Sequence, residues 1–233
     1  MKPGIAEQIG AQARAHVEAH LKRFDLVVAP AFFDRIEKFA AILALWGSRM
    51  NLTARPGDPG EIAFHVIDSL APLAMATLAG GAMLRGVFEA GREILDIGSG
   101  AGFPALVLAA ASAAHFTLCE SRRKRASFLE VAIAEMGLDN VSLKAVPVTA
   151  ASFTGIFDVV TARAIGALPD FYRIAAAALR AGGIAILYAA PSQRLKLDDA
   201  RAAALDSSAR VAYEIDREGA RLKRVLVLWH KRA

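Results

Sequence analysis

The sequence predicts an α/β fold, in which an N-terminal helical extension precedes a doubly wound, mostly parallel seven-stranded sheet. Three observations lead to this prediction. Up to about residue 80, apolar residues recur at three- and four-residue spacing, as they do in amphipathic helices. From residue 93, short apolar runs alternate with helix-forming stretches, which is typical of a parallel sheet covered by helices. The first of these runs leads through a glycine-rich turn into a helix.

The extension, residues 1–88, is the first of two predicted domains. Its clearest helix carries one apolar face. The residues of that face include Phe32, Ile36, Phe39, Leu43 and Trp46. The segment 55–60, Arg-Pro-Gly-Asp-Pro-Gly, has the composition of a turn, and a further helix is expected over about 61–78.

The second predicted domain, residues 89–233, contains the sheet. Strands are expected near 93–97, 115–120, 141–145, 156–162, 184–189, 211–215 and 224–229. Helices are expected near 104–113, 123–136, 169–180 and 192–205. Gly182-Gly183 should end the third of these helices.

The glycine turn lies in residues 93–105, Glu-Ile-Leu-Asp-Ile-Gly-Ser-Gly-Ala-Gly-Phe-Pro-Ala. Its acidic residue and its glycines are Asp96, Gly98, Gly100 and Gly102. Because glycine has no Cβ, a ligand can approach this backbone closely. A dinucleotide-binding fingerprint needs Gly-x-Gly-x-x-Gly and is interrupted by Phe103. Gly-x-Gly-x-Gly after an acidic strand end is instead typical of S-adenosylmethionine-dependent methyltransferases, and a turn without a ligand is the alternative.

Later strands also end in residues suited to a nucleoside, at the edge where open α/β sheets bind ligands. Glu120 ends the second strand, where its carboxylate can accept hydrogen bonds from both ribose hydroxyls. Val148 and Thr149 follow the third strand, where an adenine ring could pack. A lone acidic residue at a strand end is more often a surface charge or a helix cap. The prediction of a nucleoside site therefore depends on the suitable residues at several successive strand ends taken together.

Arg163 follows the fourth strand and should be oriented toward the same cleft. There it could pair with the methionyl carboxylate, contact a phosphate or stack on a base. The alternative is a structural ion pair, for which the candidates are Asp96, Glu120 and Asp158. His65 and Asp68 lie three residues apart on one helix face, and we expect a structural hydrogen bond there rather than catalysis.

The chain carries a net charge of +5, and the excess lies in its second part. Residues 1–90 hold nine basic and nine acidic residues, whereas the remainder holds nineteen and fourteen. Arg122, Arg123, Lys124 and Arg125 form a basic run at a predicted helix start, where cations oppose the helix dipole. A nearby phosphate backbone would explain this placement, and a solvated helix face is the alternative.

Other features limit the class of protein. Cys119, the single cysteine, excludes an internal disulfide and a zinc–cysteine cluster, and it fits a reducing cytoplasm. No apolar run reaches the length of a membrane span, and the charged N-terminus is unlike a secretory signal. We therefore expect a cytoplasmic, monomeric protein that binds neither a membrane nor a metal.

Over about residues 40–229, the chain resembles the glucose-inhibited division protein B family. The resemblance rests on Trp46 with Met50-Asn51-Leu52-Thr53, on 65–70 (His-Val-Ile-Asp-Ser-Leu), on 96–104, on Glu120-Ser121 with Lys124-Arg125 and Phe128-Leu129, and on 158–164. It implies a Rossmann-like class I methyltransferase that uses S-adenosylmethionine to modify N7 of a guanine in small-subunit (16S) ribosomal RNA. The substrate would be the RNA itself or the 30S subunit.

The motifs and the resemblance together give the candidate site. Its expected cofactor contacts are Asp96, Gly98, Gly100, Gly102, Phe103, Glu120, Val148, Thr149 and Arg163. Its expected RNA contacts are Arg122, Arg123, Lys124 and Arg125. No catalytic residue is expected, because guanine N7 carries a lone pair and needs no deprotonation.

Two positions depart from the family pattern. The family usually has an acidic residue at Thr149, and often a lysine followed by glycine where this chain has Ala189-Ala190. Arg194 or Lys196 could replace that lysine. Two alternatives therefore stay open, a methyltransferase with another acceptor and a non-catalytic RNA-binding relative.

Overall fold

The fold is described from a computed structural model, over residues 1–23, 26–166, 168–193, 197–217 and 219–232. The helices are α1 (Pro3–Arg23), α2 (Ala31–Met50), α3 (Pro59–Ser69), α4 (Ala71–Met75), α5 (Ala105–Ala111), α6 (Arg123–Met136), α7 (Leu168–Ala178) and α8 (Leu197–Ala202). A 3₁₀ helix spans Ala79–Leu84. The strands are β1 (Glu93–Ile97), β2 (His115–Cys119), β3 (Val141–Lys144), β4 (Phe157–Arg163), β5 (Leu179–Ala189), β6 (Leu205–Arg217) and β7 (Ala220–Lys231). Among these described helices, none is both long and apolar enough to cross a membrane.

Within the described residues, seven strands form one sheet in the order β3-β2-β1-β4-β5-β7-β6. Strands β1 to β5 are parallel, and β7 inserts antiparallel between β5 and β6. The predicted doubly wound, mostly parallel sheet is therefore confirmed. The chain runs outward from β1 to β3 and then crosses back to β4, so the topological switch point lies between β1 and β4, and a ligand crevice opens at their carboxyl ends.

Apolar cores cover both faces of the sheet, and the helical extension shares one of them. On that face, the Phe39 ring of α2 lies 5.2 Å from the Phe103 ring and 6.4 Å from the Phe128 ring of α6. On the opposite face, Tyr172 of α7 packs against Trp229 of β7. Because Phe103 belongs to the glycine turn, α2 packs directly beside the crevice. The division into domains at residue 88 stays a prediction.

Several element boundaries differ from the predicted ones. The helix expected near 192–205 is α8 (Leu197–Ala202), and residues 194–196 of that prediction lie outside the described part of the chain. The helix expected over 61–78 ends at Ser69, because Pro72 cannot donate a helical hydrogen bond and would clash with the preceding turn. Helix α7 ends at Ala178, and Gly182-Gly183 lie inside β5, where the pairing with β4 is irregular. Strands β6 and β7 extend well beyond 211–215 and 224–229, as a long two-stranded hairpin.

Candidate functional site

The candidate site is a cleft of about 460 Å³ at the carboxyl ends of β1 and β4. Four predicted cofactor contacts line it, and these are Gly98, Gly100, Phe103 and Arg163. The extension supplies the opposite side with Thr53, Glu61 and His65. The cleft is therefore built jointly by the sheet and the helical extension.

The three glycines of the turn adopt positive φ angles and serve two purposes. Gly98 (φ 71°) and Gly100 (φ 57°) line the cleft, and a Cβ built on Gly98 would meet no atom within 4 Å. Gly102 (φ 86°) faces α5, where a Cβ would lie 2.6 Å from Leu106 Cδ1. Gly98 therefore leaves open space for a ligand, whereas a Cβ on Gly100 would lie 3.6 Å from Gly98 O, and Gly102 is required for packing.

Glu120 is buried and bound to the backbone on both sides. Its Oε2 accepts a hydrogen bond from the Gly100 N–H (3.0 Å), and its Oε1 accepts one from the Arg122 N–H (2.8 Å). Each carboxylate oxygen can accept a second hydrogen bond. The carboxylate is thus fixed between the glycine turn and α6 and can still accept hydrogen bonds from hydroxyl groups, although the residues that line the cleft do not include Glu120.

Asp96 lies behind the turn, and the residues that line the cleft do not include it. Thr161 Oγ1 donates a hydrogen bond of 2.6 Å to Asp96 Oδ1. Asp96 Oδ2 is buried without a hydrogen-bond partner in the described part of the chain. Burial raises the pKa of this carboxyl group to about 6, although the bond from Thr161 acts in the opposite direction.

Arg163 is held by the helical extension. Its Nη2 lies 2.7 Å from His65 Nδ1 and 3.3 Å from Asp68 Oδ2, both on α3. Its Nη1 is buried without a partner among the described residues. Arg163 therefore lines the cleft and forms an ion pair, but with a carboxylate outside the three that the sequence suggested. Asp158 lies at the other end of β4 and pairs with two further arginines, Arg92 and Arg180.

Glu61, which was not predicted from the sequence as a site residue, is almost fully buried one turn before His65. Glu61 Oε2 accepts a hydrogen bond from Arg55 (3.1 Å), and Arg217 of β6 pairs with the same oxygen. Asp58 caps α3 by accepting the Glu61 N–H, so the first turn that carries Glu61 is fixed. The spacing of Glu61, His65 and Asp68 (i, i+4, i+7) places them on one helix face and is the signal that could have revealed the set.

The basic run borders the cleft. Arg122, Arg123 and Lys124 are exposed, and none of them forms an ion pair within the described residues. Together with Met50 and Asn51 the run lines a second hollow of about 350 Å³, and Arg125 lines both this hollow and the cleft. A cationic surface therefore leads to the mouth of the site.

Two predicted features lie elsewhere. Val148 packs partly against the second apolar core, and Thr149 hydrogen-bonds to Ser152 in an exposed turn, so neither lines the cleft. Ala189 is buried at the end of β5. Arg194 and Lys196 lie outside the described residues. The cofactor contact at Val148-Thr149 stays a prediction.

Comparisons with known proteins agree with one another. The GidB family model, rRNA small subunit methyltransferase G, matches residues 33–219. Ribosomal RNA small subunit methyltransferase G of Acidiphilium cryptum is 38% identical over 168 residues, which are 71% of each chain. The protein of the same name from Deinococcus radiodurans is 35% identical over 188 residues, or 77% of this chain and 70% of that one. Precorrin-6y C5,15-methyltransferase from Geobacter metallireducens has the same fold, with a TM-score of 0.53 at 12% identity over 71% of this chain and 87% of that one.

Proposed function

The chain belongs to the GidB family of small-subunit ribosomal RNA methyltransferases, and we propose that it transfers a methyl group from S-adenosylmethionine to N7 of a guanine in small-subunit ribosomal RNA. The resemblance found in the sequence is thereby confirmed. The observation that carries the proposal is the convergence of the glycine turn, Glu120 and Arg163 at one sheet edge, beside an exposed basic run. The acceptor is 16S ribosomal RNA or the 30S subunit, and the protein acts as a cytoplasmic monomer without a metal.

The described residues fit S-adenosylmethionine. The open space above Gly98 admits a ligand, and Glu120 retains the capacity to accept hydrogen bonds from two ribose hydroxyls. Arg163 offers a guanidinium to the methionyl carboxylate, and its Nη1 lacks a partner among the residues that the structure describes. When bound, the cofactor supplies an electrophilic methyl group on a sulfonium centre. Gly102 and Asp96 support this surface from behind, and Phe103 gives it an apolar side.

The site has no need of a general base, because guanine N7 reacts through its lone pair. His65 is the titratable side chain nearest to that role, but its Nδ1 is already bound to Arg163. Burial, followed by the charge of Arg163, lowers the pKa of His65 to about 3, so the ring is neutral near pH 7. The protein therefore accelerates transfer by holding the acceptor and the methyl group in line, and positioning alone can supply a large rate increase.

The basic run should govern binding of the RNA. We expect Arg123→Ala with Lys124→Ala to lower the slope of log affinity against log salt concentration by about 1.5, because each lost phosphate contact removes about 0.7 to 0.9. Binding of the cofactor should be unchanged. Filter binding of 16S ribosomal RNA over a series of salt concentrations measures the slope. Arg201→Ala with Arg210→Ala is the matched control, since these exposed arginines lie toward the opposite edge of the sheet. Equal slopes for both double variants would contradict the assignment of the RNA face.

Methyl transfer tests the function directly. Radiolabelled S-adenosylmethionine is incubated with 30S subunits, or with naked 16S RNA, from cells that lack this protein. Label recovered as 7-methylguanine at one position supports the proposal, and the preferred substrate form identifies the acceptor. Arg163→Ala should reduce cofactor binding and transfer together. Cofactor binding without labelled RNA would indicate another acceptor, and absence of cofactor binding would overturn the enzymatic proposal.

A further inference from the structure

The contact between Arg163 and His65 fixes the state of the histidine ring. A guanidinium can only donate, so His65 Nδ1 must accept the 2.7 Å hydrogen bond from Arg163 Nη2. The proton of the neutral ring is then on Nε2, which lies 3.3 Å from Glu61 Oε1. Both ring nitrogens therefore face charged partners, and the ring is fixed between α3 and the end of β4.

Asp68 holds the same guanidinium and is itself held from the sheet. Arg224 of β7 donates to both carboxylate oxygens, at 3.1 Å each, and Tyr213 of β6 donates to Oδ1 at 2.7 Å. Asp68 is fully buried, so it cannot turn toward solvent. The position of Arg163 Nη2 is thus fixed by two residues of the extension, and one of these is anchored by the terminal hairpin.

The Asp68 carboxylate is shared by two guanidinium groups, those of Arg163 and Arg224. Arg163 lines the cleft with most of its side chain buried, and its Nη1 has no partner among the described residues. A buried guanidinium that shares its counter-charge with a second cation favours an anionic ligand at that position.

We propose that His65 and Asp68 are positioning residues, which hold the Arg163 guanidinium in the orientation that receives the methionyl carboxylate of the cofactor. The inference rests on the proposed function, since it takes S-adenosylmethionine as the ligand of the cleft. It gives the helical extension a role in cofactor recognition in addition to any role in binding RNA. Without the two residues, Arg163 would have to be ordered by the ligand, and that ordering would weaken binding.

Two ligands test this role, because only one of them has the carboxylate. S-adenosylhomocysteine contains the amino-acid moiety, whereas 5′-methylthioadenosine lacks it. We expect His65→Leu to weaken binding of S-adenosylhomocysteine about tenfold, which corresponds to the loss of one charge-assisted hydrogen bond, and to leave methylthioadenosine within about twofold. His65→Asn keeps an acceptor near the Nδ1 position and should stay within about threefold for both ligands. Isothermal titration calorimetry measures all of these dissociation constants.

A double-mutant cycle separates positioning from other roles. In an Arg163→Ala background, His65→Leu should have no further effect on S-adenosylhomocysteine, because the residue acts through Arg163. Additive losses would show that His65 contacts the ligand by itself, and equal weakening of both ligands by His65→Leu would show a merely structural role. If His65→Leu left binding of both ligands unchanged but weakened binding of RNA, the Arg163 guanidinium would be assigned to an RNA phosphate instead of the cofactor. Each of these three results overturns the inference. If His65→Leu weakened S-adenosylhomocysteine but not methylthioadenosine, and no methyl group were transferred to RNA, only the proposed acceptor would be overturned.

Discussion

Replacing Asp68 with asparagine is expected to lower the free energy of unfolding by about 3 to 5 kcal/mol, the usual cost of removing one partner from a buried ion pair. The carboxylate is fully buried between Arg163 and Arg224, with Tyr213 donating to the same group. Asparagine keeps one acceptor oxygen but turns a donor group toward a guanidinium, and it leaves two cations without a counter-charge. Urea unfolding monitored by circular dichroism at pH 7 measures the loss.

Asp170→Asn is the matched control for this experiment. Asp170 also pairs with an arginine, Arg173, but both side chains are more than half exposed. Exposed pairs contribute about 0 to 1 kcal/mol, so this variant should unfold close to the wild type. Similar losses in the two variants would show that burial does not govern the energy of the Asp68 pair, and would contradict the role of this network in anchoring Arg163.

Most of the fold could be predicted from the sequence, because its strands and helices follow from local patterns. Alternating apolar runs give the parallel strands, and the glycine turn marks the first crossover to a helix. The full length of the terminal hairpin did not follow, because most of the residues that lengthen β6 and β7 beyond the predicted strands are small or polar. Asp216, for example, lies opposite Arg221, and both are outside the apolar runs from which the strands were predicted.

The site was predictable where its residues stand at strand ends, and less so where two distant segments meet. Gly98, Phe103 and Arg163 line the cleft as expected. The partner of Arg163 lies 95 positions earlier in the chain, as the numbers of Asp68 and Arg163 show. No periodicity reports how a helical extension docks on a sheet edge. Asp158 was one of the candidates from the sequence, but the structure places it near the start of β4, about 16 Å from Arg163 at 3.3 Å per residue.

Replacing Asp96 with asparagine is expected to act in the opposite direction on stability. The folded protein raises the pKa of this buried carboxyl group from 3.8 to about 6, so ionising it at pH 7 costs on the order of 3 kcal/mol relative to the unfolded chain. Asparagine removes that cost and can still accept the hydrogen bond from Thr161. We therefore expect a higher free energy of unfolding at pH 7, by up to about 3 kcal/mol, in urea titrations.

The pH dependence identifies the cause. Below pH 3.8 the carboxyl group is protonated in both the folded and the unfolded protein, so the variant should gain nothing over the wild type. Between pH 4 and 6 the unfolded chain ionises first, and the advantage of the variant should grow; above pH 6 it should stay constant. Asp206→Asn is a control of opposite sign, because hydrogen bonds from Arg232 lower the pKa of Asp206. That variant should lose stability at pH 7, and the loss should fade toward acid pH.

A carboxylate that destabilises the folded protein calls for a functional explanation, and the proposed cofactor provides one. Asp96 precedes Gly98, which lines the cleft, by two residues, and its Oδ2 is unpartnered in the described structure, so we expect its negative charge to act on a cation bound there. The sulfonium of S-adenosylmethionine is a cation, whereas S-adenosylhomocysteine lacks that charge. Asp96→Asn should therefore weaken S-adenosylmethionine more than S-adenosylhomocysteine in calorimetric titrations, while the protein itself becomes more stable. Equal weakening of the two ligands would show that Asp96 acts through the shape of the turn instead of its charge.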